Sequence, residues 1–263
     1  MTALRCCVVV PARDEQDLVG ACLDALAVQR GVPAEAWEVI VVLDDCTDDT
    51  WGEVERAMRR HPALAVCTLS GPGRGAGPAR RVGMDAAAAR LPADGLIACT
   101  DADSVVAPDW VAAQLAAVSA GARAIGGRIE VAPAEMDLLP PAVAADRRLR
   151  QRRRHQLVLA DPGPAGSTSQ HWQFSGASLA VTAGVYRHVG GMGDDRALED
   201  EAFERALIAH GVPIHRSLAV RVTTSGRLVG RAERGLARDL AEAAAQRIRP
   251  TNAMPRSSEP SGR

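Results

Sequence analysis

Along the first hundred residues, short apolar runs alternate with longer segments whose apolar positions recur every three to four residues. Cys6–Val10 (CCVVV) is continuously apolar and stops at Pro11, the pattern of a parallel strand covered on both faces. From Asp14 to Arg30, Leu18, Cys22, Leu23 and Leu26 fall on one helical face. Trp37–Leu43 (WEVIVVL) reads as a second strand. Thr47–Arg60 reads as a helix with an acidic start and a basic end, the arrangement that the helix dipole favours. Leu64–Leu69 is a third strand, Ser70–Pro78 a glycine-rich loop, the following segment to Arg90 an alanine-rich helix, and Leu96–Thr100 a fourth strand. Strand and helix alternating in this order predict a parallel sheet with right-handed crossovers.

Beyond residue 104 the rhythm changes. The pattern predicts a helix over Trp110–Ala120, a strand over Ala124–Val131 and a long helix containing Asp146–His155. A polar, turn-forming loop follows at Asp161–Gln170. Next come a strand at Ala177–Val181, a short helix to Val189 and a turn at GGMGDD. An amphipathic helix, Leu198–Gly211, is closed by its glycine. The last strand is AVRVTT, residues 219–224, with a helix after it to about Arg247. Residues 247–263 are rich in Pro, Ser and Arg and are expected to be disordered. The chain therefore reads as one α/β domain over residues 1–246, with halves 1–104 and 105–246.

Composition narrows the classes. The formal net charge of −1 argues against a polyelectrolyte partner such as nucleic acid. All 31 cationic Lys/Arg positions are arginine, which excludes a lysine Schiff base or the lysine of a P-loop. The start runs directly into a strand pattern and lacks the features of a signal peptide, and no apolar run has transmembrane length. Cys6, Cys7, Cys22, Cys46, Cys67 and Cys99 form no C-x-x-C pair, and most lie in apolar segments. They are expected to be free thiols in a reducing compartment, hence a cytoplasmic location.

In an open parallel sheet, ligands bind beyond the carboxyl ends of the strands. Four polar motifs stand at those ends: PARDE (Pro11–Glu15), DDCTDDT (Asp44–Thr50), the glycine loop before Arg80, and DAD (Asp101–Asp103). Two carboxylates one residue apart repel each other unless a cation or hydrogen-bond donors compensate. A hard divalent ion, Mg2+ or Mn2+, shared with substrate phosphates would do so. The plain alternative is that DADS caps a helix.

The ordered set VVVPARDE, VIVVLDDCTDDT, GAGPARRVGMDAA, CTDADS, SGASLAVTAGVYRHVGGM and LEDEAFERAL, spanning most of the chain, resembles family 2 glycosyltransferases, inverting enzymes of the GT-A fold. The resemblance implies a mostly parallel, Rossmann-like sheet flanked by helices, with a mixed acceptor-side half. It implies a nucleotide-sugar donor (a UDP- or GDP-sugar) bound in the N-terminal half. Pro11, Arg13 and Glu15 match the loop that touches the nucleoside. Asp44 and Asp45 match the acidic pair at the base. Arg80 stands where a cation faces the nucleotide or diphosphate. Asp101 and Asp103 match the DxD motif, with Asp103 the expected direct ligand of Mg2+ or Mn2+. Asp200 of EDE matches the catalytic base. His215 matches a C-terminal histidine that completes the metal site in some GT-A enzymes. For the acidic pair, Arg80, the DAD aspartates, Asp200 and His215 an ordinary structural role is the competing reading: a helix cap, a solvated charge, a favourable dipole charge or a structural histidine.

Two departures stand out. The Q-x-x-R-W signature of processive members is absent, and Ser225–Gly235 (SGRLVGRAERG) occupies its place, with Arg227 and Arg231 as candidate diphosphate contacts. Arg81 replaces an asparagine common in the family. Trp172 in WQFSGASL matches the acceptor-side segment. The arginine run Arg147–His155 reads as a solvated helix face or as a patch for an anionic acceptor or a membrane surface. Membrane association is expected to be absent or peripheral, and a homodimer is compatible with the sequence. Competing activities are a retaining GT-A enzyme of the glucosyl-3-phosphoglycerate synthase type, a nucleotidyltransferase, and a non-catalytic sugar-nucleotide-binding protein.

Overall fold

The first strand, β1 (Cys6–Ala12), is buried at every position and lies between two parallel neighbours. Its even-numbered residues Cys6, Val8 and Val10 enter one apolar cluster with Leu23, Leu26 and Trp110. Cys7 and Val9 enter another with Met84, Phe203 and Leu207. A strand buried on both faces has no polar side to alternate with, which is why it reads as an unbroken apolar run. The structure is a computed structural model that describes residues 4–132, 136, 141–161, 163–193 and 198–227.

The helices among the described residues are α1 (Val19–Ala27), α2 (Thr50–Arg60), α3 (Ala76–Arg90), α4 (Trp110–Ser119), α5 (Pro141–Ala160), α6 (Ala183–His188) and α7 (Glu199–Ala209). The remaining strands are β2 (Trp37–Leu43), β3 (Val66–Ser70), β4 (Leu96–Cys99), β5 (Ser104–Val106), β6 (Ala124–Val131), β7 (Thr168–Ser169), β8 (Leu179–Thr182) and β9 (Ile214–Thr224). They form one sheet in the order β3-β2-β1-β4-β8-β6-β9-β5, with β7 on β9. The first four are mutually parallel, as the βα rhythm predicts. β8 then runs antiparallel to β4 and β6, while β9 is parallel to β6 and antiparallel to β5. The second half is thus mixed.

The departures from expectation have local causes. The helix expected from Asp14 begins only at Val19, because residues 14–16 are drawn into bonds with the loop after β2. Asp14 Oδ1 takes the Thr47 amide at 2.7 Å, and the Glu15 amide donates to Thr50 Oγ1 at 2.8 Å. The helix expected from Thr47 likewise begins at Thr50. The last strand starts at Ile214, five residues earlier than expected, and an irregularity between Gly127 and Arg128 of β6 accommodates its extra residues. β5 and β7 are too short for periodicity to reveal. The segment predicted as helix after residue 227 and the tail at 247–263 lie outside the described residues. All six cysteines are free, and Cys6, Cys7, Cys22 and Cys99 are buried. No helix among the described residues is long and apolar enough to cross a membrane.

Candidate active site

The carboxyl ends of β1, β2 and β4 lie side by side, so the loops that follow them meet. The loop after β1 is fastened to the loop after β2 by the two bonds described above and by a pair of bonds from Gln16. Its amide meets Asp48 Oδ2 at 3.1 Å, and its Oε1 takes the Asp49 amide at 3.0 Å. Pro11 pairs in register with Val42 at the end of β1, and Arg13 lies 3.8 Å from both Asp44 and Asp45. The two acids are not equivalent. Asp44 is buried, and its carboxylate takes the amides of Gly73 and Gly75, each at 2.7 Å. It therefore shapes the glycine loop. Asp45 is 70% exposed at its side chain and is the one able to reach a ligand. Among the described residues, three non-glycine residues have left-handed backbones: Asp14, Asp45 and Leu198, with φ of 51°, 55° and 60°. All three open or close loops of this site, where such strain concentrates.

DADS is a tight turn, with the Ser104 amide donating to Asp101 O at 3.0 Å, and it leads straight into β5. The helix-cap alternative fails, since α4 begins only at Trp110. Arg80, buried in the first turns of α3, donates to Asp101 Oδ1 at 2.6 Å and through its other nitrogen to Glu199 Oε1. Glu199 opens α7, and its carboxyl is raised above the usual range by burial, against the opposing pull of Arg80. A Cβ added to Gly176 would lie 2.3 Å from Arg80 Nη2, so any larger residue where the segment before β8 crosses the guanidinium would push it from its present place. The amide of the same Gly176 donates to Asp200 Oδ2 at 3.1 Å.

Asp103 faces a second arginine. Arg227 Nη2 lies 3.0 Å from Asp103 Oδ2, and Arg227 Nη1 donates to Glu15 Oε2 at 2.7 Å. The hydroxyls of Ser104 and Thr224 each lie 3.3 Å from Asp103 Oδ1. Burial first, and then the charge of Asp101, push the Asp103 carboxyl up to about 6. His215 is not brought to this corner. Its ring bonds the Thr168 hydroxyl, and its β6 partner Ile125 is six residues before Val131, the partner of Thr224. That separation is about 20 Å along the strand. The expected histidine ligand is thus set aside by the register of β9.

The sequence model of Glycosyl transferase family 2 matches residues 7–172, which contain all of β1 but its first residue, the glycine loop, Asp101 and Asp103. The chain belongs to this family. It is a glycosyltransferase with the GT-A fold, as the resemblance implied. No curated protein sequence matches it. The mannosyltransferase PcManGT of Pyrobaculum calidifontis, solved with GDP-Man and Mn2+, is similar at 21% identity and a TM-score of 0.61, over 97% of this chain and 67% of that one. TarS residues 1–349 of S. aureus, solved with UDP-GlcNAc, is similar at 14% identity and a TM-score of 0.64, over 92% of this chain and 71% of that one. At these identities the likeness is one of fold.

Sequence reasoning singled out the two DxD carboxylates but not their partners. The family-2 chain compensates them with its own cations, Arg80 and Arg227, where the spacing alone suggested a divalent ion. Among the described residues no group of three or more His, Cys, Asp or Glu is arranged to hold a metal ion. The donor set nonetheless fits Mg2+ or Mn2+ of the kind that takes one or two carboxylates and completes its shell with phosphate oxygens and water. Asp101 and Asp103 would hold it. Glu199, the first residue of EDE, carries no sequence motif of its own. Its only signal was position beside Asp200.

Proposed function

We propose that this family 2 glycosyltransferase moves a sugar with inversion from a nucleoside-diphosphate sugar to a hydroxyl acceptor, in a metal-dependent reaction with Asp200 as base. The observation that carries the reading is the buried Arg80 bridge. It ties the DxD aspartate Asp101 to Glu199, the neighbour of Asp200, so donor-side and acceptor-side carboxylates share one guanidinium. Asp45, Arg13 and the end of β1 line the side where a nucleoside would lie. The metal, when bound, would neutralise charge developing on the departing diphosphate.

Asp200 takes the proton from the acceptor hydroxyl as its oxygen bonds to the anomeric carbon, and the carbon–oxygen bond to the diphosphate breaks with its electron pair leaving on the nucleotide. The Gly176 amide holds one Asp200 oxygen, and the Glu201 amide holds the other at 2.9 Å, so the carboxylate is oriented before substrate arrives. Free, buried thiols favour a reducing, cytoplasmic setting.

The test is a screen of UDP- and GDP-sugars with Mn2+ or Mg2+, scored by release of nucleoside diphosphate, with the anomeric configuration of the product read by NMR. Release with one donor and inversion is the expected result. Retention would remove Asp200 from the role of base, and no release with any donor would overturn the reading as a whole.

A further inference from the structure

Helix α5 carries Arg148, Gln151, Arg152 and His155 at positions i, i+3, i+4 and i+7, and all four line one pocket. Its opposite walls are β6 from Arg128 to Val131 and the segment Gln170–Gln173, and its volume is about 470 Å³, the size of a small phosphorylated metabolite. Trp172 forms part of the wall, and the Arg154 guanidinium lies 4.8 Å from its ring centre. Of the charges here, Arg128 is paired with Glu130 at 3.1 Å, which leaves Arg148 and Arg152 without an ion pair among the described residues. Two uncompensated guanidinium groups in one concave wall repel each other, and an anion that accepts from both relieves that cost.

The pocket's place ties it to the reaction. Gly176, whose amide holds Asp200, follows Trp172 by four residues, no more than about 14 Å of extended chain. Val131, at the pocket's edge, is the register partner of Thr224, which bonds Asp103. An acceptor anchored among the arginines therefore lies alongside the carboxylate corner. Resting on the reading given under Proposed function, we infer that this pocket is the acceptor subsite and that the acceptor carries a phosphate monoester or diester, held by Arg148 and Arg152.

The binding experiment uses the full chain and needs no turnover. Glycerol 3-phosphate, with glycerol as its uncharged match, is titrated by calorimetry. In parallel, phosphatidylcholine vesicles with and without phosphatidylglycerol are tested by co-sedimentation. Glycerol 3-phosphate is expected to bind where glycerol does not, and the double variant Arg148→Gln/Arg152→Gln weakens it roughly tenfold or more. A double variant at distant surface arginines, Arg59→Gln/Arg123→Gln, removes the same charge and changes the affinity by less than about twofold. Arg152→Lys keeps the charge, loses the two-pronged geometry and falls between, which separates a specific contact from a misfolded helix. Arginine-dependent binding to the anionic vesicles alone assigns the phosphate to a lipid, and to glycerol 3-phosphate alone assigns it to a soluble acceptor. If neither phosphate-bearing probe binds, or the Arg148/Arg152 variant binds as tightly as the parent, the inference is wrong. Nucleoside diphosphate binding, measured on the same samples, fails independently if it is the donor reading that is mistaken.

Discussion

Arg80 meets Asp101 from inside the protein, Nη2 to Oδ1 at 2.6 Å, while its other terminal nitrogen bonds Glu199. The guanidinium side chain is 3% exposed and that of Glu199 10%. Breaking such a pair from one side strands a buried charge. Arg80→Ala is therefore expected to destabilise the fold by about 3–5 kcal/mol. Arg80→Met combined with Glu199→Leu should recover part of that loss, because the two most buried charges go together and only the more exposed Asp101 is left without its partner. Urea denaturation of the single and double variants measures this. If Arg80→Ala costs no more than an exposed pair, the bridge is not a structural element of the site.

Asp200 has its two oxygens held by backbone amides and stands beside the Arg80 bridge. Asp200→Asn keeps the size and the amide at Gly176 in reach but cannot accept a proton. Transfer is expected to fall by about 100- to 10,000-fold while nucleotide binding stays near the parent value. Single-turnover transfer and equilibrium binding of the nucleoside diphosphate, measured together, check both halves. Unchanged transfer would move the base elsewhere.

Arg227 sits on the Asp103 carboxylate that we propose for the metal. A divalent ion arriving there must displace a guanidinium or share the carboxylate with it. Arg227→Ala is thus expected to bind Mn2+ more tightly in the absence of nucleotide, on the order of tenfold. Electron paramagnetic resonance of free Mn2+ reads this without any turnover. Asp103→Asn serves as the opposite case and should lose Mn2+ binding. A variant at Arg227 that leaves the affinity unchanged would show that the arginine and the ion do not compete.

His171 links the segment between β7 and β8 to pH. It is buried, its Nε2 lies 3.2 Å from Ser217 O, and its Nδ1 takes the Gln173 amide at 3.1 Å. The Nδ1 acceptor requires a neutral ring. Burial, with the nearby Arg128 and Arg216, lowers its pKa from 6.5 to about 4. A depressed value means that the neutral ring's stabilisation is complete above pH 6.5 and is lost as pH falls toward 4. The loss amounts to about 3 kcal/mol. His171→Gln should be less stable at pH 7 but show a flatter stability curve between pH 6.5 and 4. Thermal melts across that range decide it, and parallel curves for both proteins would refute the assignment.

Much of the N-terminal half was legible because its signals are local. CCVVV and WEVIVVL read as strands since both faces of each are covered, and the polar motifs fall where those strands end. Residues 14–18 misled because a sound helical pattern gave way to bonds with the next loop, between residues about thirty positions apart. His215 misled because its chemistry suits a metal but its register does not. The separate duties of Asp44 and Asp45 were hidden because adjacent acids look alike until their exposure is known.

The sequence by itself determined the element order, the parallel first half and the clustering of carboxylates at strand ends, since hydrophobic period and turn chemistry act over a few residues. Only the tertiary structure decided which charges meet. Arg80 finds Glu199 across 119 positions and Arg227 finds Glu15 across 212, through a strand order no local pattern specifies. The cost of burying an unpaired charge is what makes those distant pairings obligatory once the sheet has formed.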